Sequence, residues 1–539
     1  MLERLQRRLG LQTIPGVFFV SAGVATLFVA LAVPFDQEVA EYFGLLTGWV
    51  ARNLGWFYIM SVTSLLIFLL GLAVSRYGNI RLGADDSRPD YSNLTWFIML
   101  FAAGIGTILM FWGVAEPVSH FADPPFEDTQ PGSTKAAGDA MTVALYHFGL
   151  HIWTIFAMAG LAIGYFAYRH NLPMRISSLL YPILGERIFG PWGWTVDVIA
   201  VLGTLFGVAT SLGLGALQLN SGLDYLFDVP STGLVQVLLI VVITSIAATS
   251  VALGLDKGVR RLSQLNIVLA MVLLAFVLIV GPTVFIAEGI IQSVGNYLDA
   301  LPWLAFWTQT FKETDWQRQW TLFYWAWTIS WAPYVGIFIA RISRGRTIRE
   351  FVAGVLFAPT VFTLVWFGIF GLSAIQVEMG GQIALAEQVR QDPSVAIFAF
   401  LDAFPLANVA SALSVIIIVI FFTTSSDSAS LVIDMLTRRA DQPSLVRQRL
   451  FWAAAQGVIA ATLLLAGGLE ALQNVITSLG LPFSILLVFM AVALFRALRA
   501  DYRGYNVDEL VQGRAFPEVE ANRETEQEND DVPETADRH

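Results

Sequence analysis

Twelve times along this 539-residue chain an apolar run approaches the length at which a helix can cross a hydrocarbon layer. At a rise of 1.5 Å per residue, a core of about 30 Å needs roughly 20 residues. The runs fall at roughly 13–33, 55–75, 93–115, 139–168, 193–220, 233–255, 264–288, 321–341, 350–374, 408–437, 450–472 and 475–496. Charge is too scarce for a water-facing surface of this size: Asp, Glu, Lys and Arg make up 14% of the residues, against roughly a quarter in soluble domains. The sequence therefore predicts an all-α integral membrane protein with twelve transmembrane helices.

The loops carry the orientation, because Lys and Arg collect on the cytoplasmic side. Arg4, Arg7 and Arg8 precede the first run. Alternate loops then hold Arg76, Arg81 and Arg88; Arg169, Arg175 and Arg187; Lys257, Arg260 and Arg261; Arg341, Arg344, Arg346 and Arg349; and Arg438, Arg439, Arg447 and Arg449. The intervening loops are acidic, as in Glu116, Asp123, Glu127 and Asp128. This alternation puts both termini in the cytoplasm of a multi-pass plasma-membrane protein. The domain division that follows is a cytoplasmic N-terminus (1–12), a twelve-helix membrane domain (13–500) and an acidic cytoplasmic tail (501–539). The tail explains most of the net charge of −11, since Glu518 to Arg538 holds nine acids and two arginines. Residues 290–311 mix polar and apolar positions around Pro302 and read as an interfacial amphipathic helix. No basic face suits nucleic acid. With no cysteine there is neither a disulfide framework nor a thiolate metal site.

Small residues cluster within two of the runs. The third contains Ala102-Ala103-Gly104-Ile105-Gly106-Thr107 and the eighth Trp331-Ala332-Pro333-Tyr334-Val335-Gly336. Both are expected to interrupt their helices, five spans apart, as in a transporter built from two related halves. Close helix packing is the other use of such residues. In the eighth run Tyr324, Trp327, Trp331, Tyr334 and Phe338 share one helical face. They make either a cation-π surface for a quaternary ammonium group or ordinary packing. Thr423-Thr424-Ser425-Ser426-Asp427-Ser428 in the tenth run offers hard oxygen ligands for Na⁺, or hydrogen bonds to neighbouring helices. His147 and His151, one turn apart, have metal-ligand spacing but no nearby carboxylate or cysteine in the sequence, which favours a structural or gating role. No catalytic set can be assembled, so the chain does not read as an enzyme, and it calls for no cofactor.

These segments resemble a known family. Phe111-Trp112-Gly113-Val114-Ala115-Glu116-Pro117-Val118-Ser119-His120, together with Trp325-Ala326-Trp327-Thr328-Ile329-Ser330-Trp331-Ala332-Pro333-Tyr334, is similar to the signatures of betaine/choline/carnitine transporters. The resemblance implies a LeuT-type five-plus-five inverted repeat in helices 3–12, preceded by two extra helices. It also implies a homotrimer in the lipid bilayer, and import of a small osmolyte coupled to Na⁺. A substrate box would comprise Phe148, Trp153 and Phe156 of the fourth span, Trp327, Thr328 and Trp331 of the eighth, and Gly104 and Gly106 of the third. Phe148 and Thr328 stand where Trp is typical of the family, and Phe156 where Tyr is. One sodium site would use Ala102 and Ile105 with Phe421, Thr424 and Ser425. A second would use Thr204 with Tyr334; the family has two threonines one turn apart in the fifth span, and Val208 stands in place of the second.

Overall fold

The computed structural model describes residues 2–101, 106–253, 256–311, 314–381, 383–439 and 442–512. Among these there is no strand, only an isolated bridge between Arg81 and Thr347. A short amphipathic helix, α1 (Leu2–Leu9), precedes α2 (Pro15–Ala32), which opens on a proline whose missing N–H costs nothing at a helix start. Helix α3 (Asp36–Val74) begins well before the expected second span. Its 39 residues extend about 58 Å, so its first turns stand clear of a hydrocarbon core of about 30 Å. Of the third span the structure describes α4 (Asn93–Phe101) and α5 (Gly106–Ala122). The interruption expected at Ala102–Thr107 falls largely outside the described residues, and so do Ala102, Gly104 and Ile105.

The fourth span is divided into α6 (Thr134–Phe148) and α7 (Leu150–Arg169) at Gly149. After the turn α8 (Tyr181–Leu184) come α9 (Pro191–Phe227), α10 (Gly233–Leu253) and α11 (Asp256–Val280). Helix α12 (Thr283–Leu304) starts earlier than the interfacial helix expected at 290–311 and contains Pro302. A π-turn over Arg318–Leu322 leads into α13 (Phe323–Ile342).

The interruption expected at Trp331–Gly336 does not occur, since α13 is continuous through Pro333. The packing alternative explains the small residues there. A Cβ on Gly336 would lie 2.8 Å from the Cβ of Ala159, so the glycine lets α13 close onto α7.

Helix α14 (Ile348–Met379) is capped by Thr347 and Glu350, each side chain accepting from the other's backbone N–H. The short helices α15 (Leu385–Gln391) and α16 (Ala396–Leu401) cover the far end of the bundle. Helix α17 (Ala407–Thr437) carries the hydroxyl run, and α18 (Val446–Tyr502) turns a corner at Gly467 and Gly468. Gly468 has φ +59°, a left-handed conformation suited to glycine. Helix α19 (Val507–Val511) takes up the start of the tail, where Asp508 accepts from the Tyr181 hydroxyl at 2.9 Å.

Ten of these helical segments are long and apolar enough to cross a membrane. Over its most apolar 18 residues the α6–α7 segment is 94% buried and α10 only 22%, so the former is central and the latter peripheral. The arginine-bearing loops meet at one end. Leu82 N donates to Arg346 O (2.9 Å) and Ile348 N to Ile80 O (2.9 Å). Arg169 binds Asp501 through two nitrogens (2.5 and 2.9 Å) and Asp85 through a third (2.7 Å). Ile14 N donates to Thr437 O at 2.7 Å, and Arg341 reaches Met435.

Candidate functional site

The site is built around the break in the fourth span and the start of α5. At Gly149 (φ −90°, ψ −133°) the chain leaves helical geometry for one residue and so exposes backbone groups that lipid cannot satisfy. Tyr297 of α12 supplies a partner: its hydroxyl accepts from Leu150 N at 3.1 Å. A Cβ at residue 149 would lie 2.8 Å from that hydroxyl, so glycine is needed for the approach. Helix α5 is held near its start by Trp366 Nε1 on Leu109 O (3.2 Å) and Gln218 Nε2 on Met110 O (2.7 Å). The ring of Phe421 lies against Gly106 so closely that an added Cβ would fall 1.9 Å from Cζ.

Beside this contact is a cavity of about 80 Å³. Its wall includes Gly106, Trp153, Tyr334, Phe421, Thr424, Ser425 and Ser428, joined by Ser263 and Asn266 of α11 and Thr363 and Trp366 of α14. No charged side chain is among these lining residues. Asp427, next to Ser428, accepts from the Ser250 hydroxyl at 3.0 Å. Hydroxyls, an amide and aromatic faces are hard-oxygen and π donors, suited to a small cation or onium group. Thr424 Oγ1 donates to Ile420 O (2.9 Å) and Phe421 O (3.1 Å), which leaves its lone pairs available.

Six residues expected in the substrate and sodium sites therefore share one wall: Gly106, Trp153, Tyr334, Phe421, Thr424 and Ser425. The other described ones stand back from it. Phe156 meets Trp153 edge-on at 5.6 Å, and Phe148 stacks on Phe367 at 4.9 Å. Trp327 donates to Gly207 O (3.2 Å) and Ser211 Oγ (3.1 Å) and stacks on Phe323. Trp331 lies edge-on between Trp327 and Tyr334. Thr328 donates its hydroxyl to Tyr324 O at 2.7 Å, so it can only accept from a further partner. Thr204 is buried with no hydrogen bond to its hydroxyl among the described residues, and Val208 is buried one turn on. Sequence reasoning missed Ser263, Asn266, Thr363 and Trp366. Polar residues in otherwise apolar spans were the signal available for the first three.

Toward the acidic-loop end a wider vestibule, about 910 Å³, is lined by Trp112, His120, Asp123, Arg318, Trp320, Glu378, Glu387, Arg390 and Glu470, among others. Under its floor Glu116 Oε1 meets His147 Nδ1 at 2.6 Å and His120 Nε2 at 3.3 Å, all three side chains being buried. His147 Nε2 lies 2.9 Å from Thr321 Oγ1. The carboxylate that His147 lacked in sequence thus arrives from another helix. His151 is not in this group and stacks on Trp325.

Comparison with known proteins agrees with this architecture. Residues 16–503 match the profile of the BCCT, betaine/carnitine/choline family transporter. The chain is 42% identical to the ectoine/glycine betaine/proline transporter EctP of Corynebacterium glutamicum, over 91% of its own length and 81% of the relative's. It is 44% identical to a glycine betaine transporter of Acinetobacter baylyi (90% and 74%) and 42% identical to the high-affinity choline transport protein of Escherichia coli K12 (91% and 73%). A match that runs from the first long helix to the end of the last, with relatives this similar over nine-tenths of the chain, makes this protein a membrane transporter, not an enzyme, and a member of the betaine/carnitine/choline transporter family.

Proposed function

We propose that the protein imports a small zwitterionic or quaternary-ammonium osmolyte together with Na⁺, by alternating access across the plasma membrane. Glycine betaine leads; choline, carnitine, ectoine and sulfonium compounds follow. The carrying observation is a cavity of hydroxyls and aromatic faces with no charged wall. Two unit positive charges about 6 Å apart repel by roughly 3 kcal/mol at an effective dielectric near 20. Na⁺ and a plain cation would meet that cost in an uncharged cavity. A zwitterion brings its own carboxylate and offsets it. Coupling to Na⁺ and preference for a zwitterion therefore support each other.

The architecture we infer has twelve crossings. The ten long segments give eleven, because α18 turns at Gly467–Gly468 and counts twice, and α4 with α5 makes the twelfth. Helices 3–12 form the LeuT-type inverted repeat, with both termini on the cytoplasmic side where the arginine loops meet, and the molecule assembles as a homotrimer. The sodium ion would be held by Thr424, Ser425 and the Phe421 carbonyl, and the substrate by Trp153, Tyr334 and Gly106, with Phe156, Trp327 and Trp331 behind them. With Val208 lacking an oxygen, the Thr204–Tyr334 site is incomplete. That substitution favours one reading besides the first: the same fold coupled to protons or running as an exchanger.

Uptake of labelled betaine, ectoine and choline into proteoliposomes, at matched membrane potential with Na⁺ or K⁺ outside, tests this. Betaine and ectoine uptake should depend on Na⁺. Uptake indifferent to the replacement would select the second reading.

A further inference from the structure

The Glu116, His120 and His147 cluster is not needed to hold an osmolyte, and its chemistry is distinct from that of the inner cavity. Two imidazole nitrogens, His147 Nδ1 and His120 Nε2, converge on the same oxygen of Glu116. The three ligand atoms all lie within 4.8 Å of one another. Two nitrogens and a carboxylate oxygen form the donor set that divalent zinc, cobalt and nickel favour. The spacing suits such an ion. Bonds of about 2.0–2.1 Å at a tetrahedral angle set ligand atoms roughly 3.3 Å apart, and Glu116 Oε1 to His120 Nε2 is 3.3 Å. The 2.6 Å contact to His147 would open by less than about 1 Å once an ion replaced the hydrogen between the two atoms. The outer layer is present as well: His147 Nε2, facing away from the cluster, meets Thr321 Oγ1 at 2.9 Å, the kind of second contact that orients a ligating imidazole. His120 also lines the vestibule, with Trp112 and Trp320 beside it, which gives an ion a way in from the acidic-loop side.

We propose that these residues form a binding site for one divalent transition-metal ion of the zinc class, with Glu116 Oε1, His120 Nε2 and His147 Nδ1 as ligands. Its consequence is mechanical. Glu116 and His120 lie on α5, and His147 lies two residues before the break that ends α6. An ion bonded to both half-helices fixes their spacing and resists any transport step that changes it. External zinc therefore slows uptake whichever osmolyte is carried.

The test uses chelator-treated, full-length protein in detergent, titrated with Co²⁺. Visible d–d absorption should appear, saturate at one equivalent and disappear on adding Zn²⁺. His120→Ala and Glu116→Gln should remove it, while His151→Ala, outside the cluster, should keep it. Thr321→Val should weaken Zn²⁺ roughly 10–100-fold, the scale for loss of an outer-layer partner. In proteoliposomes, external Zn²⁺ should inhibit the native protein and spare His120→Ala. His120→Gln serves as the second variant if His120→Ala does not fold. Absence of saturable absorption in the native protein would overturn the proposal, and so would an unchanged spectrum in His120→Ala.

Discussion

The inner cavity and the outer vestibule differ in how each deals with charge. The cavity is small and its described wall holds only hydroxyls, an amide, aromatic rings and apolar groups. The vestibule is more than ten times larger and rimmed with ionised side chains. Its two guanidinium groups are already engaged, Arg390 with Glu387 and Arg318 with Asp315 at 3.2 Å. Asp123, Glu378 and Glu470 remain, a surplus of negative charge facing water. Charges in such a wet mouth raise the local concentration of cations and are screened within about a Debye length. Dipoles and π faces in a dry cavity select by contact. If transport runs as proposed, the vestibule governs arrival and the inner cavity governs choice.

The largest effect that could break this contrast is steric. Gly106→Ala puts a methyl into the ring of Phe421, and unless that ring yields, overpacking of about 1–3 kcal/mol is expected. Uptake should fall roughly 10–100-fold with the protein still monodisperse in detergent; near-native uptake would show that the Gly106–Phe421 contact is not part of the transport site. Next is the ion. Thr424→Ala combined with Ser425→Ala removes two oxygens from a dry site, so the Na⁺ concentration for half-maximal uptake should rise by roughly tenfold or more. An unshifted sodium curve would place the ion elsewhere.

A smaller change separates wall from backing. Trp153→Leu keeps apolar bulk but removes the quadrupole, which is worth about 0.5–2 kcal/mol to a cationic head, so KM for betaine should rise roughly two- to thirtyfold. Trp327→Leu should raise it less, since that indole is committed to Gly207 and Ser211. The reverse order would put the box around Trp327. The least effect belongs to the rim. Asp123→Asn with Glu470→Gln should slow initial choline uptake by roughly two- to threefold at low ionic strength, and should do little in about 0.5 M salt. A loss that survives high salt would mean that these carboxylates touch the substrate.

Most of the fold was legible because it follows from solvent: apolar runs mark the helices, and loop arginines mark the end at which Arg81, Arg169 and Arg346 come together. The hydroxyl run was legible for the same reason, since Thr424 and Ser425 are costly in lipid without a use. What sequence reasoning missed depends on distant partners. Gly149 breaks its helix where Tyr297 of α12 caps the exposed N–H of Leu150, and nothing near Gly149 announces that residue. Glu116 joins His147 across 31 residues, so the histidine pair looked as if it lacked a carboxylate. Pro333 misled in the opposite direction: a proline removes one helical hydrogen bond, but packing against α7 keeps the helix continuous.

The pairing between residues 80–82 and 345–348 also sets a schedule for biosynthesis. Arg81 hydrogen-bonds the carbonyl of Gly345, 264 residues further along. At about 5–20 residues per second a ribosome takes roughly 13–50 s to cover that distance. During this interval the early helices are in the bilayer without the segment that fastens their ends. Their polar faces need temporary shelter, from the insertion machinery or from one another, and a stall anywhere between the two segments of the clasp would leave an intermediate that a membrane protease can recognise.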